Sequence, residues 1–352
     1  LGVRRLAQEL RISVTTVSRA LNDYPDIAPD TRRRVLEAAE RIGYSPNAVA
    51  RSLRQGRANA VGIVLPTPEG NFSDPFLSAL LAGISNRLRC DGLDLIVTSC
   101  PPGPDEEPSY KRLFAGRKVD SVIVTRTRVD DDRIRLLLAE NFPFVAFGRS
   151  DAIADPFPWV DLDGHAAFFS MTRRLIEAGH RRIGLIHTGR NLNFVRHRTA
   201  GWRDCLVAEG IPAELCGKWM AEAAPDAEGG RRAAFSLLSQ SDAPTALVCI
   251  SDDIAFGAIE ACRELSLPVG DGGISIVGFD DNPYARFASP PLTSQRQPVR
   301  DIGCTLVDML QRRSTGAPAS QLNCLMQAEF VTRSSHGRPP CQATSGRSGL
   351  RQ

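Results

Sequence analysis

Between residues 60 and 280 seven short apolar runs recur, each separated from the next by a stretch with helical periodicity. The first series reads "AVGIVLP", "LDLIVTS", "VDSVIVT" and "PFVAFG"; the second reads "RRIGLIHT", "ALVCISD" and "ISIVGFD". Such alternation has few solutions, because parallel strands need long crossovers, usually helices, and those helices cover both faces of the sheet and leave the strands almost continuously apolar. Two series predict two similar lobes, each a doubly wound parallel sheet. The chain then returns through "PLTSQRQPVRDIG" and a helix to about Arg312. This assigns about 60–160 and 291–320 to lobe 1 and about 161–290 to lobe 2, within a body spanning 60–332. Residues 333–352 lack apolar periodicity and are expected to form a disordered tail.

The first 59 residues differ in pattern and in charge. They carry eleven Arg against six acidic residues, and residues 333–352 add four Arg and no acid, so the stretch between is acidic although the whole chain is only +3. A basic end on an acidic body suits nucleic acid binding. Val3, Leu6, Ala7 and Leu10 make one helical stripe. In "SVTTVSRALN" Ser13 can cap a second helix whose Val17, Ala20 and Leu21 form the buried side. Its other face offers Thr15, Thr16, Ser18 and Arg19, with Val14 at the entry. A third helix follows in "PDTRRRVLEAAERIG", with Pro29 at its start, Asp30 at its positive end and Gly43 as terminator. Two helices joined by a tight turn and braced by a third is the helix-turn-helix plan, although a plain solvated surface helix would share the same polar face.

"SVTTVSRALN", "TRRRVLEAAERIGYSPN" and "NAVARSLRQGR" follow one another as in the lac repressor family of bacterial transcription regulators (LacI/GalR type), which the chain resembles over about 55 residues. "ALNDYPDIAPDTRRRVLEAAERIGYSPN" and "PFVAFGRSD" are also similar to its α-glucoside- or disaccharide-responsive branch. The resemblance implies a helix-turn-helix DNA-binding domain at 1–46 and a hinge helix with its linker at 47–59. It further implies a periplasmic-binding-protein-like core that binds effector and dimerises. It makes Val14 and Thr15 base readers and Arg19 a bidentate partner for guanine, with Ser13, Thr16 and Ser18 as caps or phosphate contacts. In the hinge, Asn47 would cap, Val49 and Ala50 would meet a second copy, and Leu53 would lever into the minor groove; packing of Leu53 on the next domain is the alternative. Gly2 and Arg11 depart from the family, which often has a Thr cap on helix 1 and Gly in the turn.

Open α/β lobes bind ligands beyond the carboxyl ends of their strands, here in the cleft between lobes. The polar residues there are Arg149, Asp252 and Asp280 at run ends, Gln297 on the return and Arg198 in "RHRTAGW", with Phe76 and Trp202 as candidate aromatic walls. Guanidinium, carboxylate and amide groups bond adjacent hydroxyls while aromatics cover a sugar's C–H face. The resemblance strengthens Arg198, Asp280 and Gln297, whereas Arg149 and Asp252 could equally form a lobe-lobe ion pair or a helix cap. Ser251 stands where many relatives have Asn. Asp253 is expected to cap a helix, and His180 is expected to be structural.

The nine cysteines, from Cys90 to Cys341, contain no CxxC pair and read as reduced thiols. No apolar run reaches the ~18 residues of a membrane span and no signal-peptide core is present, so a cytoplasmic protein without metal or cofactor is expected. GxSxG, HExxH, GxxxxGK[ST] and GxGxxG are all absent. The reading is therefore a sugar-released repressor that binds palindromic operator DNA. A homodimer is expected rather than a tetramer, because the tail has no leucine heptads. A co-repressor regulator taking a purine or phosphorylated sugar is the alternative, and a sugar hydrolase using Asp252 and Asp280 is a third reading.

Overall fold

The computed structural model describes residues 2–22, 24–44, 57–67 and 74–340. The chain divides into two compact units, Leu1–Asn59 and Ala60–Gln352. The first contains α1 (Val3–Leu10), α2 (Val14–Leu21) and α3 (Pro29–Arg41). They close on a small core of Leu6, Ala7, Val17, Ala20, Val35, Ala38 and Ala39. Short side chains at four of these seven positions let the three helices approach closely, which a core of this size needs for close packing.

The second unit opens with β1 (Ala60–Pro66), α4 (Pro75–Arg89), β2 (Asp94–Cys100), α5 (Glu106–Ala115), β3 (Ser121–Val124), α6 (Asp132–Ala139), β4 (Phe144–Phe147) and β5 (Trp159–Leu162). It continues with α7 (Gly164–Glu177), β6 (Ile183–His187), α8 (Asn193–Ala208), α9 (Ala213–Lys218), β7 (Met220–Glu222), α10 (Ala227–Leu238), β8 (Ala246–Cys249), α11 (Asp252–Glu264), β9 (Ser275–Asp280) and β10 (Thr293–Arg296). The last elements are α12 (Val299–Ser314), β11 (Asn323–Met326) and β12 (Glu329–Val331). Two six-stranded sheets result, ordered β11-β5-β4-β3-β1-β2 and β12-β10-β9-β8-β6-β7. All pairings are parallel except β10 with β12. Each sheet reverses its winding at its first strand, β1 or β6, and such switch points open a crevice at the carboxyl ends.

Two boundaries differ from expectation. Thr293–Arg296, expected in lobe 1, pairs with β9 and belongs to lobe 2, while Trp159–Leu162 completes lobe 1. Apolar periodicity marks a strand but does not name its neighbour. The chain thus crosses between lobes three times, after β5, after β10 and after β11. Residues 333–340, expected in the disordered tail, pack on lobe 2. Ser335 is fully buried. Its hydroxyl donates to the Ile276 carbonyl at 2.6 Å and accepts from the Thr293 N–H at 2.8 Å. Polar side chains secured by hydrogen bonds leave no apolar rhythm to read. The rest of the tail lies outside the described residues.

The same segment encloses two imidazoles. His180 lies 2.8 Å from the Thr245 hydroxyl through Nδ1, and through Nε2 it lies 2.9 Å from the Ser275 hydroxyl and 3.0 Å from the Gly337 carbonyl. His336 Nδ1 is 2.9 Å from the Thr293 hydroxyl. Burial holds both rings below the usual imidazole value, and the His336 charge would further oppose protonation of His180. The unfolded chain takes up these protons near pH ~6.5, so the stability is complete above that value and is lost as pH falls below it. Thermal unfolding followed by circular dichroism should show the midpoint of the wild-type chain falling relative to that of His180→Gln, which cannot charge at this site, as the pH is lowered from about 6.5 to 5; the comparison removes the opposite contribution of the buried carboxylates common to both.

Candidate functional site

In the helical unit the second helix is placed by its cap and its turn. Ser13 Oγ accepts the Thr16 N–H at 2.9 Å and lies 2.8 Å from the Thr16 hydroxyl. The turn before it passes through Arg11 in the left-handed region, at φ 56°. Such backbone is uncommon outside glycine. With Val17 and Ala20 buried, α2 turns Val14, Thr15 and Arg19 outward. Val14 is 46% exposed, a large apolar side chain held at the helix entry. Arg19 pairs with Asp26 at 2.5 Å and lies over the Tyr24 ring at 5.2 Å. Its guanidinium is therefore held rather than free in this conformation. Ser18 is half-buried and its carbonyl accepts the Asn22 side-chain N–H. Asn47, Ala50 and Leu53, the expected hinge residues, lie outside the described residues.

In the body the carboxyl ends of both sheets line one cleft of about 1460 Å³. Its polar centre is Arg198, carried by α8, with Asp280 at the end of β9 and Gln297 on the crossover after β10. Arg198 is only 8% exposed. Its Cζ lies 3.8 Å from the Phe279 ring centroid and 4.6 Å from that of Phe194, and one NH donates to the Ile250 carbonyl at 3.0 Å. Gly164 makes room for it, because a Cβ there would sit 3.0 Å from Arg198 Cγ. Desolvation drives the guanidinium down to about 10, against the pull of Asp280 and Asp161.

Asp280 has φ 115°, a conformation that costs energy for any side chain. Burial raises its carboxyl to about 7, although Arg198 and the 2.6 Å bond donated by the Gln297 amide pull the other way. Arg198 Nε and Gln297 Oε1 are buried and have no hydrogen-bond partner among the described residues. An unused donor, an unused acceptor and a titrating carboxylate therefore converge, and buried groups of this kind cost stability unless something binds them. Phe76 and Phe147 stack beside them at 6.0 Å between centroids, with an 18° interplanar angle, and form an apolar wall.

Three expected contacts are corrected. Trp202 is fully buried in the core of lobe 2, on the same face of α8 as Arg198 but one turn deeper. Asp252 is also sealed: it accepts the Ser294 hydroxyl and the Asn282 N–H, each at 2.6 Å, and lies off the cleft lining. Burial and the Asp280 charge raise its carboxyl well above the usual range. Arg149 spends its fork on Asp161 at 2.8 Å and on His197 Nδ1 at 3.0 Å, outside the lining. Asp253, expected as a cap, is not one; Ser251 caps α11, and Asp253 faces the cleft, where burial and the carboxylates of Asp74 and Asp226 raise it.

Phe147, Phe194 and Asp74 line the cleft and were not singled out from sequence, and Asp253 was singled out only as a cap. Phe147 ends an apolar run, so the strand-end rule that found Asp280 could have found it. The lining holds eight carboxylates against four guanidinium groups. Arg133 is spent on Glu106 and Asp131, and Arg128 on Glu106. Among the described residues no group of three or more potential metal ligands occurs, and no helix is long and apolar enough to cross a membrane.

Comparison with known proteins gives two family matches. "Periplasmic binding proteins and sugar binding domain of LacI family" covers residues 58–333, and "Bacterial regulatory proteins, lacI family" covers residues 6–47. The HTH-type transcriptional regulator AglR of Rhizobium meliloti is 35% identical over 346 residues, 96% of this chain and 95% of its own. MalR of Streptomyces coelicolor is 33% identical over 343 residues, 95% and 96% respectively. Among solved structures, the lac repressor dimer bound to operator and the anti-inducer ONPF aligns with a TM-score of 0.83 at 26% identity, over 95% of this chain and 98% of that one. The complex of the transcriptional regulator CelR with cellobiose aligns with a TM-score of 0.74 at 26% identity, over 95% and 99%. Both units are matched in order and nearly end to end, and the chain belongs to the LacI family of bacterial DNA-binding transcriptional regulators.

Proposed function

We propose that this regulator is a cytoplasmic repressor of carbohydrate uptake or catabolism genes, released from its operator by a small neutral sugar of the α-glucoside class. The observation that carries the reading is the cleft centre. Arg198, Asp280 and Gln297 present donors and acceptors to adjacent hydroxyls beside the Phe76–Phe147 wall, the mixture that sugar recognition needs. The excess of carboxylates weighs against a phosphorylated effector. Sealing of Asp252 by Ser294 and Asn282 favours binding over hydrolysis, since it leaves Asp280 without that partner for a two-carboxylate mechanism. The solved complex of CelR with cellobiose supports a sugar as the effector class.

A homodimer presents two copies of α2 to an imperfect palindrome, with Val14 and Thr15 toward base edges. Arg19 reaches guanine by giving up Asp26. Sugar binding alters the dimer contact of lobe 1 and lets the hinge around Leu53 melt. A coupling of ~1 to 3 kcal/mol, about 5- to 150-fold in operator affinity, suffices for such a switch. Fluorescence anisotropy of the full chain on palindromic DNA from its own upstream region, with a panel of mono- and disaccharides, tests the reading. Salt-sensitive binding released by one sugar is expected; release by none, or tightening by a phosphorylated compound or purine, would overturn it.

Two variants sharpen the test. The double substitution V14A/T15A should reduce specific over nonspecific binding by about tenfold or more, in keeping with ~1–3 kcal/mol per misread base pair, while the salt slope stays unchanged because no charge is lost. For the effector, the ionised Asp280 carboxylate accepts hydroxyl protons and the protonated form does so poorly. Sugar affinity measured by calorimetry should therefore rise with pH through about 7 and level off above about 8. Asp280→Asn should bind weakly and lose that dependence.

A further inference from the structure

The cleft continues past its polar centre. Beyond β3 and before α8 the two lobes are joined by backbone. The Val129 N–H donates to the Asn191 carbonyl and the Asn193 N–H to the Thr127 carbonyl, both at 2.9 Å, and Arg128 and Leu192 form an antiparallel bridge. Next to this junction the lining of lobe 2 passes to Gly189, Asn191 and Glu222. Glu222 ends β7 and Asp280 ends β9, with β6 and β8 between them in the same sheet. Three strand spacings of ~4.8 Å separate the ends of these two strands by about 14 Å, more than the width of a single pyranose ring.

The side chains of Asn191 and Glu222 have no hydrogen-bond partner among the described residues. They converge over Gly189, where a Cβ would lie 3.3 Å from Asn191 Oδ1 and 3.8 Å from Glu222 Oε1. The missing side chain keeps that ground open between an amide and a carboxylate. Glu106, on the facing wall of lobe 1, is neutralised by Arg128 and Arg133. The opening therefore offers acceptors and an amide donor; Arg190, between Gly189 and Asn191 in the chain, stays out of the lining and turns to the Met220 sulfur at 3.3 Å.

We propose that Gly189, Asn191 and Glu222 form a second saccharide subsite, so that the effector is at least a disaccharide, with one ring at Arg198 and Asp280 and the next on Asn191 and Glu222. The proposal rests on the sugar reading above and goes further by fixing ligand length. Calorimetric titration of the full-length protein with glucose, maltose, trehalose, sucrose and cellobiose should find one disaccharide bound at least about tenfold more tightly than glucose. In the variant N191A/E222A that ratio should fall toward one, and Glu222→Gln, which keeps an acceptor oxygen, should restore part of it. Because the readout is a ratio, a general loss of binding does not imitate the result. Glucose bound as tightly as every disaccharide, or a ratio unmoved in N191A/E222A, would overturn the second subsite and leave the sugar reading standing. Failure of all five sugars to bind would overturn both.

Discussion

A guanidinium held 8% exposed, which among the described residues has no ion-pair partner and one carbonyl as its hydrogen-bond partner, is the constraint around which lobe 2 is arranged. Removing such a charge from water is costly, and three aromatic rings, from Phe168, Phe194 and Phe279, supply part of the compensation through their electron-rich faces. Gly164 opens the space that Arg198 crosses. Asp280 stays close enough to help electrostatically, yet it is held by Gln297 rather than by the arginine. The strained backbone at Asp280 belongs to the same arrangement, since a relaxed conformation would turn its carboxyl elsewhere. The lobe therefore keeps polar capacity in reserve at its centre, and a stability cost is accepted where recognition takes place.

Much of this was legible in the sequence for a physical reason. Parallel strands under two helical layers are apolar along most of their length, so their ends are sharp, and Asp280 stood where the apolar character stopped; Gln297 follows the polar strand "TSQR" and was marked by its place on the return instead. Helix faces were harder. Arg198 and Trp202 share a face of α8, and spacing alone does not tell which turn of that face meets solvent. Asp252 and Asp253 differ by one residue, about 100° around α11. One is closed off by Ser294, from a strand that follows some forty residues later, and the other is left to the cleft. Long-range closure of this kind leaves no local mark. The segment 333–340 failed for the opposite reason: it is fixed by hydrogen bonds to Ser275, Ile276 and Thr293, and polar composition looks the same whether a chain is loose or bonded.

The helical unit works on a smaller scale. Among the described residues its core has seven buried apolar side chains, four of them alanine, so backbone geometry carries more of the specification than side-chain volume does. Ser13 fixes where α2 starts, and Arg11 supplies the reversal that a glycine would make at lower cost. An exposed valine at the first position of α2 is explained poorly by folding alone. The base-reading role proposed above for Val14 would account for it, through a thymine methyl group or another apolar edge in a major groove.

The three crossings between lobes set an order of events during synthesis. Lobe 1 takes β11 as an edge strand and lobe 2 takes β12, and both come from residues 323–331. A nascent chain that has already made β1–β5 and β6–β9 still exposes an unpaired flank on β5, and on β10 once that strand has formed. Neither sheet is finished until the final turn of the route has left the ribosome. Unfinished parallel edges are open to pairing with other chains, so release of the two lobes from that hazard is simultaneous. A chain stopped shortly before residue 323 would carry both vulnerable edges together, and both lobes would reach the ribosome exit as one folding unit, in keeping with the single connected core that runs through them.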